Sequence, residues 1–125
     1  MNTLKKLPDA EYEVMKVVWV NEPPITTSEI MRLLGNGKNW KIQSLVSFMS
    51  RLVEKGFLRS EKHGKERNYY PLVSQEEYRK FETGNYAKQY YNGSFLDLVT
   101  TLYDDEALTD KDIDELYEWV KKRRR

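Results

Sequence analysis

The chain has 125 residues, 39% hydrophobic and 33% charged, and its formal net charge is +1. This length suits one compact domain, or a small domain with an oligomerising appendage, and nine tyrosines with three tryptophans make it too aromatic to be disordered. The lack of cysteine excludes disulfides and thiolate metal sites, and no apolar run approaches the ~18 residues of a membrane span, so a cytoplasmic protein without membrane insertion is expected. The opening stretch MNTLKKLPDAEYEV has a basic patch but no apolar core behind it, unlike a signal peptide. Leu7-Pro8-Asp9 then predicts the start of a helix, with Asp9 and Glu11 at its positive end and Tyr12, Met15, Val18 and Trp19 facing inward. Asn21-Glu22-Pro23-Pro24 ends it, because neither proline continues the hydrogen-bond ladder. Ile25 predicts a short strand. Thr26 and Glu29 have capping-box spacing for a second helix through Leu34, with Ile30, Leu33 and Leu34 inward. Gly35-Asn36-Gly37 terminates that helix.

Residues 40–72 are the most informative stretch. Trp40 opens a third helix as a packing anchor, and Ile42, Leu45, Met49, Leu52 and Val53 share an apolar face. At about 100° per residue, Gln43, Ser44, Ser47, Ser50 and Arg51 gather on the other side. These are short hydrogen-bonding groups and one arginine, suited to a helix that enters a groove. Arg and Gln pair bidentately with guanine and adenine edges, while Ser44 and Ser47 suit phosphates or thymine methyls. Arg51 has a second reading, as a partner for Glu54 or the first helix. Lys55-Gly56 stops the helix, and residues 57–61 and 67–73 predict antiparallel strands around Lys62-His63-Gly64-Lys65. The predicted fold class is therefore mainly α with a small β-wing, an N-terminal winged helix-turn-helix. Lys41 completes the candidate DNA-binding set on the helix, and Lys62, His63, Lys65 and Arg67 form a wing that clamps phosphate or the minor groove.

Ser74 and Glu77 cap a long helix that Asn92-Gly93 breaks near Tyr91, and residues 95–103 make a shorter amphipathic helix. Thr109 and Asp112 cap a last helix. The expected domains are 1–73, DNA-binding, and 74–125, a helical dimerisation domain. Charge divides the same way. Residues 1–73 carry twelve basic and eight acidic side chains, whereas residues 74–120 carry four and twelve, so a polyanion is drawn to the first part alone. A tail of two or three helices cannot bury its own apolar stripes, which assigns Phe81, Tyr86, Tyr90, Phe95, Leu98, Leu102, Ile113, Leu116 and Val120 to a homodimer interface. A two-fold dimer matches a palindromic duplex.

Other motifs have plainer readings. His63 is the sole histidine and, without cysteines or a carboxylate cluster, is a poor zinc ligand and a poor catalytic base. Neither a catalytic residue nor a cofactor is expected, so an enzyme is disfavoured. Gly35-Asn36-Gly37-Lys38 lacks the strand and Ser/Thr of a phosphate loop. Asp104-Asp105-Glu106 lacks the spacing and glycine of a calcium loop. The terminal KKRRR is read as a frayed helix end complementing the dipole. The competing class is a winged-helix module whose third helix meets a protein, for which only Val46 and Phe48 speak.

The run LPDAEYEVMKVVW, the TTSEI helix, Trp40 with Arg51-Leu52 and Lys55-Gly56-Phe57, Tyr69-Tyr70-Pro71-Leu72-Val73, Gly93-Ser94-Phe95, and Leu108-Thr109 with Asp112-Ile113 and Leu116 together resemble the BlaI/MecI/CopY family of penicillinase and copper-export repressors. The resemblance covers nearly the whole chain. It implies a dimeric repressor of resistance or metal-export genes. Copper sensing in that family uses a cysteine-rich C-terminal motif, which this chain lacks. The β-lactam branch implies a membrane-bound sensor-protease pathway that ends in repressor cleavage. The usual Asn-Phe bond aligns with Thr101-Leu102 here, a departure in both residues. Family members often carry Lys and Arg at the places of Gln43 and Val46, and threonines at Ser44, Ser47 and Ser50. These departures leave open whether the operator is the usual TACA/TGTA-type palindrome, and whether the same family fold answers another signal.

Overall fold

A computed structural model describes residues 4–124; Arg125 of the terminal KKRRR and the first three residues of the opening stretch lie outside them. Two compact units divide the chain, the first ending at Glu82 and the second starting at Thr83.

In the first unit, helix α1 (Asp9–Val20) follows Pro8, and strand β1 (Ile25–Thr26) follows the proline pair. Helix α2 (Thr27–Ile30) begins with the expected capping box: Glu29 N–H donates to Thr26 Oγ1 at 3.2 Å, and Thr26 N–H donates to Glu29 Oε1 at 3.2 Å. Its continuation, Met31–Gly35, widens into a π turn. That turn breaks the 3.6-residue period and leaves Leu33, expected to face inward, exposed. Helix α3 (Ile42–Glu54) starts two residues later than expected, so Trp40 precedes it and packs edge-on against Phe48, with ring centroids 5.0 Å apart. Leu45, Met49 and Leu52 are fully buried, while Ile42 and Val53, at the edge of the same stripe, are exposed.

Gly56, at φ +81°, takes the left-handed position that ends α3. Phe57 N–H closes back to Leu52 O at 2.9 Å. Strands β2 (Leu58–His63) and β3 (Glu66–Pro71) then pair antiparallel, and β1 joins the far side of β3 to give the order β1-β3-β2. The hairpin closes on the two residues Gly64 and Lys65, with a left-handed φ of +67° at Gly64 alone, as a type II′ loop requires.

Helix α4 (Gln75–Tyr91) is capped as predicted, Glu77 N–H donating to Ser74 Oγ at 3.0 Å. The first unit extends past the junction expected at Val73-Ser74 because the start of α4 belongs to its core. Tyr78 is buried among Tyr12, Trp19, Phe57 and Phe81, its ring 5.6–6.1 Å from theirs. Tyr78 Oη accepts a 2.8 Å bond from Leu7 N–H, and Trp19 Nε1 donates to Val73 O at 2.9 Å. Phe81, assigned above to a dimer interface, is thus half-buried on the core of its own unit.

The second unit holds the end of α4, helix α5 (Phe95–Asp104) capped by Ser94, and helix α6 (Asp110–Arg123) with a Thr109/Asp112 capping box. Among its described residues only Ala87 is buried. Tyr103 donates to Asp110 Oδ1 at 2.9 Å, which raises the phenol's pKa. No helix among the described residues is long and apolar enough to cross a membrane.

Candidate nucleic-acid interface

The amphipathic pattern of α3 dictates what it presents. With Leu45, Met49 and Leu52 in the core, the opposite side falls on Gln43, Ser47, Ser50 and Glu54, all exposed. Lys41 is the N-cap residue just before the helix and is exposed. Ser44 lies on a flank and is half-buried. Five of the expected helix residues are therefore brought together, although Ser44 contributes only its edge.

Arg51 occupies the same flank but is engaged elsewhere. Its Nε donates to Glu11 Oε2 at 3.1 Å, and its guanidinium lies 5.4 Å from the Phe48 ring. Lys55 Nζ pairs with the other oxygen of the same carboxylate. Glu11, read from the sequence as a helix-dipole residue, has a side chain only 3% exposed and ties α1 to the last turns of α3. Of the two sequence readings for Arg51, the geometry carries the second, a partner for the first helix. With Nε held on Glu11, any base contact falls to the terminal amino groups of Arg51. Sequence spacing could not point to Glu11, since its partners lie 40 and 44 residues away.

The wing places its basic residues by strand alternation. Lys62 stands opposite Arg67, and His63 opposite Glu66. Successive side chains face opposite sides, so Lys62 and Arg67 share a face with Ser60 and with the buried Leu58 and Tyr69. His63 takes the other face, and Lys65 is in the loop. All four expected wing residues are exposed. Arg67 donates to Ser60 Oγ at 3.3 Å. Like charges directly across a ladder repel, and an anion between Lys62 and Arg67 relieves that repulsion. Ser28 Oγ donates to Glu66 Oε1 at 3.1 Å, tying the hairpin tip to α2.

In the second unit, Tyr86, Tyr90, Phe95, Leu102, Leu116 and Val120 are exposed, and Leu98 and Ile113 half-buried. Thr101 and Leu102 sit within α5, where Thr101 Oγ1 donates to Asp97 O at 2.8 Å and Leu102 O accepts from Ala107 N–H at 2.8 Å. Among the described residues no cluster of His, Asp and Glu has the makings of a metal site.

A profile of the penicillinase repressor family matches residues 7–122. The chain is 30% identical to the penicillinase repressor of Bacillus licheniformis over 118 residues, 92% of this chain and 91% of that protein. It is 27% identical to the methicillin resistance regulatory protein MecI of Staphylococcus aureus over 122 residues, 98% of each. The solution structure of the DNA binding domain of the repressor BlaI superposes with a TM-score of 0.55 at 32% identity, covering 62% of this chain and 94% of that one. That of monomeric Bacillus licheniformis BlaI in complex with the blaP half-operator gives 0.52, at the same identity and coverage. The helix–helix–hairpin arrangement is that of a winged helix.

Proposed function

The chain belongs to the penicillinase repressor family, and on that footing we propose that it represses transcription as a homodimer seated on a palindromic operator, occluding a promoter of β-lactam-resistance-type genes. It is a DNA-binding transcriptional repressor and not an enzyme. The observation that carries the proposal is the outward face of α3, Gln43, Ser47 and Ser50, in the same unit as the Lys62–Arg67 pair of the wing. The helix supplies base-edge hydrogen bonds in the major groove, and the wing supplies phosphate contacts that fix register. Support for the dimer comes from the second unit, where Phe95 is 69% and Trp119 53% exposed on helices without a buried core of their own. Exposed aromatic surface on that scale favours a partner.

Two half-sites joined by a dimer bind more tightly than either alone, because the second contact is intramolecular. Cleavage near Thr101-Leu102, prompted by a membrane-bound sensor-protease pathway, detaches α6 with Ile113, Leu116 and Val120 and forfeits that gain. The bond lies in hydrogen-bonded helix, so cutting follows local opening of α5. Titration of the full chain against a palindrome and its half-site over a salt series tests the reading. The expected result is tighter binding to the palindrome with a steep salt slope; equal, salt-insensitive binding to both refutes it. Intact mass of the repressor from β-lactam-exposed cells tests the relief step. Full-length protein persisting while the target genes are expressed refutes cleavage and points to a different signal.

A further inference from the structure

Gln43, Val46, Ser47 and Ser50 stand at positions i, i+3, i+4 and i+7 of α3 and so form one contiguous patch. Three of the four are polar. Val46, the exception, is 46% exposed, and Ile42 and Val53 continue an exposed aliphatic line along the core side of the patch. A single exposed valine means little. A line of three beside the polar groups that face the duplex calls for an apolar partner in that place.

The major groove offers one apolar group on a base edge, the 5-methyl of thymine. Charge favours the duplex as the occupant. Lys41 precedes the same helix, and Lys62, Lys65 and Arg67 belong to the same unit, so a second copy laid on this surface would set cation against cation. A valine in a helix is nearly locked in one χ1 rotamer. Its methyl groups are therefore held ready and lose little entropy on contact.

We propose, building on the DNA-binding reading above, that Val46 is a specificity-determining residue that packs on the 5-methyl group of one thymine in each half-site. Gln43, one turn earlier, takes the hydrogen-bonding edge of a neighbouring adenine. Burying one methyl-sized group corresponds to about a fourfold change in affinity per half-site.

The test uses the full chain and a duplex it enriches from a random pool, in which each thymine is replaced singly by deoxyuridine, removing the methyl and nothing else. One thymine per half-site is expected to show the loss of about fourfold, and Val46→Ala is expected to bind the thymine and uracil duplexes equally at that position. No methyl-sensitive thymine, or a sensitivity that persists in Val46→Ala, overturns the proposal. So does a Val46→Ala protein whose sedimentation changes, which would give the aliphatic line to a second copy. A pool that yields no enriched duplex defeats the DNA-binding reading itself, and the assignment of Val46 falls with it.

Discussion

Replacing Glu11 with Gln is expected to loosen the recognition helix without altering its outward face. Glu11 has a 3% exposed side chain and accepts from Arg51 and Lys55, whose own side chains are 48% and 24% exposed. Charge-assisted hydrogen bonds are each worth about 1.5–3 kcal/mol, and removing one partner of a fully buried pair costs about 3–5 kcal/mol. Here the cations left behind can turn toward water, and glutamine keeps an acceptor. The expected loss is therefore about 2–3 kcal/mol, a large fraction of the 5–15 kcal/mol typical of a domain. For a unit of this size it lowers the melting temperature by roughly 10–20 °C. Thermal unfolding followed by tryptophan fluorescence reads it, and high salt should diminish the wild-type advantage only slightly because the carboxylate is buried. A double-mutant cycle with Arg51→Ala should return a coupling of about 1 kcal/mol or more. A Glu11→Gln protein melting within about 2 °C of wild type, with no coupling to Arg51, refutes the reasoning.

Other substitutions separate specificity, register and assembly. Gln43→Ala should relax preference at one base pair at a cost of about 1–3 kcal/mol, whereas Arg51→Ala should weaken all sequences alike together with stability; competition binding against single-base variants distinguishes them. Lys62→Ala should reduce the slope of log K against log salt by about 0.9 for each lost phosphate contact. Gly56→Ala places a Cβ at φ +81° and should cost about 1 kcal/mol or more in urea unfolding. Tyr78→Phe strands the Leu7 N–H and should cost about 1–2 kcal/mol. Burial raises the Tyr78 pKa above 10.0, so the neutral phenol's contribution is complete below about pH 10 and is lost as pH rises through the raised value. Urea midpoints on either side of that range should fall less for Tyr78→Phe. Leu116→Asp should shift sedimentation of the full chain toward monomer, and a fragment ending at Glu82 should be monomeric; a dimeric fragment would move the interface out of the second unit.

Much of the fold was legible in the linear order of residues because its signals are local. A capping box joins residues three apart, as at Thr26/Glu29, Ser74/Glu77 and Thr109/Asp112, and it forms wherever the chain turns into a helix. The helical period alone brought Gln43, Ser47 and Ser50 onto one outward face and Leu45, Met49 and Leu52 beneath it. The hairpin around Gly64 was legible too, but its strands run on through His63 and Glu66, so Lys62, expected in the turn, is paired with Arg67 instead.

What tertiary packing decided are pairings that no local window contains. Periodicity put Arg51 beside the serines, but whether it faced a groove or another helix depended on where α1 came to rest, and Glu11 arrived from 40 residues away. Phe81 looked like surplus apolar surface until Tyr78 docked among Tyr12, Trp19 and Phe57 and carried the start of α4 into the first unit's core. Leu33 kept an inward period on paper, and a single π turn rotated it out. In each case the side chain's local preference is compatible with more than one neighbour. The neighbour is selected by the burial of apolar area summed over the whole unit, a quantity that exists only once distant segments have met.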